Sequence, residues 1–203
     1  HRLIGTGGDD FILGLGGNDV IRTLGGDDFV CGGDGDDRID TGDGNDVVVG
    51  DDFGFFGDPQ AAGGDDTILL GRGDDEALPG AGDDRLFGGD GDDFLALAQG
   101  DDRGNGGDGS DNIIGGFGTD HLQGQSGDDF LFGGPGNDVL NGGPGDDFLD
   151  GHLPFDPPPG TPGIPPDGND RCIGASGDDA ARRCEVVLGV ENRNAPPFEE
   201  PAP

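Results

Sequence analysis

The chain has 203 residues, 48 of them Gly and only 30% hydrophobic, with no Trp, Tyr or Met, which argues against a conventional globular core. Its 44 acidic residues face 10 basic ones, a formal net charge of −34. That balance disfavours nucleic acid and anionic membranes as partners and leaves metal ions or basic proteins. No apolar run approaches the ~20 residues of a membrane span.

Residues 2–4 (RLI) read as positions seven to nine of a repeat, with Leu3 inward, so the chain is expected to begin partway through an array. From residue 5 the period is nine. Written G-G-x-G-x-D-x-U-x, with U a large apolar residue, the unit is matched at every position by residues 32–40 (GGDGDDRID) and 88–96 (GGDGDDFLA). The sixth position is Asp10, Asp19, Asp28, Asp37 and Asp46 in a first block. After an insertion read at residues 50–60 it is Asp66, Asp75, Asp84, Asp93, Asp102, Asp111, Asp120, Asp129, Asp138 and Asp147.

The eighth position supplies the inward residue of each short strand. It is Ile, Val or Leu except at Ala77 and Gly104, where the apolar ladder is expected to be thinnest and to loosen first. The repeat array occupies residues 1–150, followed by a Pro-rich loop at 151–166, degenerate repeats and a cap at 167–191, and a disordered tail at 192–203. In the degenerate part Asp170 and Asp179 keep the spacing, Cys172 takes an apolar position, and residues 185–190 are β-prone.

Glycines at positions one, two and four permit a tight turn that aims carbonyl oxygens at one point, and the position-six Asp adds a carboxylate. Calcium takes six to eight oxygens, so one turn cannot complete its shell and two turns must share each ion. Each three-residue strand reverses the chain, which stacks every turn on the one eighteen residues away. Without metal the stacked acids repel.

Candidate ligands are therefore the fifteen Asp residues and the turn carbonyls, among them Gly33, Gly35, Gly42, Gly44, Gly89, Gly91, Gly107, Gly109, Gly116, Gly118, Gly134, Gly136, Gly143 and Gly145. Two separate blocks imply about eleven ions, which would leave a net charge near −12.

Other chemistries fit poorly. No D-x-D-x-D-G loop carries a twelfth-position Glu, and the G-x-G-x-x-G at residues 104–109 is crowded by acids that repel a pyrophosphate. There is no G-x-S-x-G or H-E-x-x-H, and His1, His121 and His152 are dispersed, so no enzyme activity is expected. His121 reads as an exposed strand residue. The position-seven Phe residues (Phe11, Phe29, Phe94, Phe130, Phe148) read as packing between strands.

These repeats resemble the RTX, or hemolysin-type, calcium-binding nonapeptide family, over about residues 5–150. The resemblance implies an all-β, parallel β-roll that binds calcium and folds on it outside the cell. The ending, DRCIGASGDDAARRCEVV, is similar to the Cys-containing terminal segment of actinobacterial members, and a recognisable type I secretion tail is missing. In that extracellular setting Cys172 and Cys184 are expected to form a disulfide, the alternative being two thiols, while Cys31 has no evident partner. Two other readings stay open: the accessory end of a larger secreted protease, lipase or toxin, and an adhesin-like array.

Overall fold

The computed structural model describes residues 1–51, 63–151, 170–174, 180–182, 184 and 186–188. The Pro-rich loop, Asp179 and the C-terminal tail lie outside them. Among the described residues the elements are strands joined by turns, gathered into two parallel sheets of ten strands each. Arg2–Ile4, Val20–Gly25, Arg38–Asp43, Thr67–Arg72 and Arg85–Asp90 follow one another in the first sheet. Phe11–Leu13, Phe29–Cys31, Val47–Val49 and Glu76–Leu78 lie side by side in the second.

A nine-residue unit makes one strand and one turn, so two units close a coil and return the chain beside itself. Arg2 accordingly pairs with Val20, Arg85 with Arg103, and Phe94 with Asn112. The result is a parallel β-roll, with two sheets facing each other across a thin core and turns along two long edges.

The core is the eighth-position ladder. From Ile21 and Val30 through Leu140 and Leu149 it is buried, and it continues into Cys172. Many strands run six residues rather than three, because parallel pairing continues at positions two and three, as at Gly89 with Gly107 and Asp90 with Asp108. Their buried-exposed alternation makes position one inward as well, and Thr23, Thr41, Leu70 and Leu97 are fully buried there.

That second inward position corrects the expectation that the roll is thin at Gly104, and it places a buried Leu in the repeat of Ala77 as well. Leu70 opens the repeat that contains Ala77, and Leu97 opens the repeat that contains Gly104. A Cβ on Gly104 would lie 3.1 Å from Ile113 Cγ2, 3.3 Å from Leu97 Cδ1 and 3.4 Å from Leu122 Cδ2. At Gly104 the volume missing at position eight is taken up by Leu97 from position one, together with Ile113 and Leu122.

The insertion does not divide the roll. Arg38 pairs with Thr67 and Val47 with Glu76, as if the intervening residues were absent. Gly50 N–H donates to Leu78 O and Asp51 N–H to Pro79 O, which puts Gly50 and Asp51 at positions one and two of the turn ending in Asp66. The additional residues thus enter inside a turn, between Asp51 and Gly63. Asp51 is buried and fastens both sides of that opening, accepting from Gly64 N–H at 3.3 Å and Ala81 N–H at 3.1 Å.

The same device recurs near the C-terminus. Gly134 N–H donates to Gly151 O, and Leu140 pairs with Cys172. A disulfide joins Cys172 to Cys184 with their Cα atoms 5.9 Å apart, and Val186–Leu188 pairs with Arg171–Ile173.

Candidate cation-binding turns

Backbone conformation sets the turns. Positions two and four carry positive φ, as at Gly42 (110°) and Gly44 (139°). All the glycines expected as carbonyl donors share this except Gly136. Sterics add to the requirement, because a Cβ on Gly44 would strike the Gly26 carbonyl and one on Gly136 the Gly118 carbonyl. Leu15, Leu24, Ala98 and Gln125 accept positive φ of 78–86° at position two, where the side chain can turn outward.

The position-six carboxylates form two unbroken columns. Asp10 N–H donates to Asp28 Oδ1 at 2.8 Å, Asp19 to Asp37 at 2.8 Å, and Asp84 to Asp102 at 2.8 Å. Across the insertion Asp37 N–H donates to Asp66 Oδ1 at 2.8 Å and Asp46 to Asp75 at 2.6 Å. Asp138 N–H reaches Asp170 Oδ1 at 2.9 Å, extending one column into the degenerate region.

The other oxygen of each carboxylate is stranded. Oδ2 is buried without a hydrogen-bond partner at Asp19, Asp28, Asp37, Asp46, Asp66, Asp75, Asp84, Asp93, Asp102, Asp111, Asp120, Asp129 and Asp138. Asp10 differs, since its Oδ2 accepts from Thr6 N–H at 2.5 Å and from Thr6 Oγ1 at 3.1 Å.

These stranded oxygens face other oxygens. The space a Cβ on Gly88 would fill is bounded by Asp93 Oδ2 and, 2.5 Å away, by the Gly106 carbonyl oxygen. At Gly32 the boundary is Asp37 Oδ2 and the Gly50 carbonyl, and at Gly124 it is Asp129 Oδ2 and the Gly142 carbonyl. An unpaired anionic oxygen beside a carbonyl lone pair, out of water, is unfavourable unless a proton or a cation joins it.

The carboxyls respond as that argument requires. Burial raises those of Asp66, Asp84 and Asp138 to about 8, with accepted backbone N–H bonds pulling down and neighbouring carboxylates pushing up. Burial likewise raises Asp93 and Asp102 to about 7 and Asp75, Asp111, Asp120 and Asp129 to about 6.

A second ladder went unread in the sequence. At position five, Asn45 N–H donates to Asp27 Oδ1 at 3.0 Å, Asp92 to Asp74 at 2.9 Å, and Asp101 to Asp83 at 3.0 Å. It runs opposite to the position-six ladder and is exposed. Its signal was visible, because position five is Asp or Asn in nearly every repeat and Ser110 or Thr119 elsewhere.

Among the described residues, no three His, Cys, Asp or Glu side chains gather into a side-chain metal centre. A cation in these turns therefore draws on backbone carbonyls as well as on carboxylate. Hard oxygen donors of mixed charge suit a hard divalent ion of the calcium type, which accepts carboxylate and carbonyl together.

A parallel β-roll edged by ladders of unpaired, buried carboxylate oxygens defines a cation-binding repeat protein. Comparison with protein families matches the RTX calcium-binding nonapeptide repeat at residues 2–30, 26–53, 60–77, 80–104, 98–131, 105–140 and 123–153. The chain belongs to that family and is a calcium-binding repeat module. A comparison with curated proteins found no match. No described helix is long and apolar enough to cross a membrane.

Proposed function

We propose that this chain is a secreted structural module that folds when calcium enters between stacked turns. The observation that carries the proposal is the row of buried, unpartnered Oδ2 atoms from Asp19 to Asp138. Each position-six Asp supplies a carboxylate oxygen, and the ions take their remaining protein ligands from turn carbonyls, including the glycines named above and the position-one carbonyls of Gly50, Gly106 and Gly142. Calcium supplies the positive charge that turns repulsion within each column into attraction.

Because the columns are continuous across the insertion, the eleven ions expected from two separate blocks are too few. Fourteen Asp-to-Asp links run along the two edges. One ion at each link would bring about +28 and leave the chain close to neutral yet still acidic.

Low calcium keeps such a chain unfolded through self-repulsion, and millimolar calcium outside a cell folds it. Nothing in the turns calls for catalysis, and the module serves equally as the accessory end of a larger secreted protein.

Far-UV circular dichroism during a calcium titration tests the folding step, with strand signal expected to appear cooperatively. An unchanged spectrum between chelator and millimolar calcium overturns it. Isothermal titration counts the ions, and a stoichiometry of one or two overturns binding at stacked turns.

A further inference from the structure

The two-sheet alternation segregates charge. Position seven of the first sheet carries Arg2, Arg38, Arg85, Arg103, His121 and Arg171, whereas position seven of the second carries Phe11, Phe29, Phe94, Phe130 and Phe148. Most of the acids line the edges. A chain with ten basic residues thus places much of its positive charge on one broad face.

On that face Arg85, Arg103 and His121 stand on three successive strands in direct register. All three are exposed, and no ion pair among the described residues uses them, whereas Arg22 and Arg72 are paired with Asp40, Asp43 and Asp90. Cationic side chains directly opposite one another are unfavourable on a sheet, and nothing in the core requires them there.

Beside them is a shallow hollow of about 180 Å³, completed by Phe87, Asn105 and Gln123. Phe87 is 43% exposed on a strand whose neighbouring core position, Leu86, is fully buried, so its ring is presented outward. Phe87, Asn105 and Gln123 occupy the same register position on the three strands, parallel to the row of cations.

We infer that this hollow is a binding site for an acidic saccharide, a sugar ring bearing sulfate or carboxylate. The guanidinium forks of Arg85 and Arg103 match a planar or tetrahedral oxyanion, the amides of Asn105 and Gln123 match ring hydroxyls, and the Phe87 face matches the apolar face of a pyranose. Strand spacing of about 4.8 Å separates neighbours within each row, and the two rows lie two residues, about 6.6 Å, apart along the strands, the scale of one sugar unit. The inference concerns the outer sheet face and goes beyond the calcium turns of the edges.

The test is isothermal titration of the calcium-saturated chain with sulfated maltose, maltose and inorganic sulfate. Sulfated maltose is expected to bind, maltose and sulfate at least tenfold more weakly. Arg85→Gln with Arg103→Gln is expected to weaken binding by tenfold or more, Phe87→Ala by severalfold, and Arg2→Gln with Arg38→Gln, which removes the same number of charges outside the hollow, by less than twofold. All these positions are exposed, so each variant is expected to retain the roll, and retained strand signal in calcium verifies it. Absence of binding by sulfated maltose, equal binding of sulfate alone, or an equal loss in Arg2→Gln with Arg38→Gln overturns the inference.

Discussion

Leu97 Cδ1 lies 3.3 Å from the place a Cβ of Gly104 would occupy, so one inward side chain fills the room that another leaves within the same repeat. Buried Leu truncations cost about 2–5 kcal/mol when the site cannot collapse. Leu97→Ala is expected to fall in that range in calcium-saturated chemical denaturation. Gly104→Leu alone is expected to destabilise by overpacking, by about 1–3 kcal/mol. The double change, Leu97→Gly with Gly104→Leu, is expected to recover part of the loss, and strict additivity would refute the exchange of volume.

Asp102 separates the two roles of a turn carboxylate. Its Oδ1 accepts from Asp84 N–H, a bond an Asn oxygen can keep, while its Oδ2 is buried and unpartnered. Asp102→Asn is therefore expected to leave the metal-free chain no less compact, since it removes a buried charge. In calcium it is expected to lower the ion count by at least one and to shift half-saturation to higher calcium. Asp101→Asn, on the exposed position-five ladder, is expected to change the count little.

Metal-free stability and calcium affinity depend on pH in opposite directions. Asp66, Asp84 and Asp138 titrate at about 8 in the roll, above the ordinary 3.8, so between these values the folded chain holds more protons than the unfolded one. Without calcium, stability is then greatest near pH 4 and falls as pH rises toward 8. In chelator, strand signal is expected to grow on acidification from pH 8 to pH 5. Calcium competes with those protons for the same carboxylates, so the calcium needed to half-saturate the folded turns is expected to rise over the same interval. Circular dichroism in chelator and isothermal calcium titration across this range measure the two effects.

At Gly91 the backbone has φ of 137°, and a Cβ would strike the Gly73 carbonyl. Gly91→Ala therefore meets strain of about 1–3 kcal/mol and also blocks the approach of one turn to the next. Its expected effect is a lower calcium-saturated melting temperature together with a reduced ion count. Phe87→Ala, on the outer face, should leave both nearly unchanged.

The disulfide between Cys172 and Cys184 closes a short loop next to the terminal strand pair. Reduction is expected to cost up to about 3 kcal/mol and to be felt at Arg171–Ile173 and Val186–Leu188. Hydrogen exchange should then quicken in those strands before it does in Arg85–Asp90.

The nine-residue spacing by itself determined the coil, the two edges, the inward eighth position and the position-six acids, because a repeat of one strand and one turn admits few ways of stacking. It did not show that position one is also inward. Only the parallel pairing that continues past position nine puts Leu70 and Leu97 in the core, where Leu97 offsets Gly104. Nor did it show that the insertion opens between Asp51 and Gly63, since a linear count cannot tell an extra segment inside a turn from one ahead of it, whereas the pairing of Arg38 with Thr67 can. Charge segregation likewise depends on tertiary structure. Arg85, Arg103 and His121 are eighteen residues apart in sequence, and it is the closing of two repeats into one coil that puts them side by side on one face and the Phe row on the other.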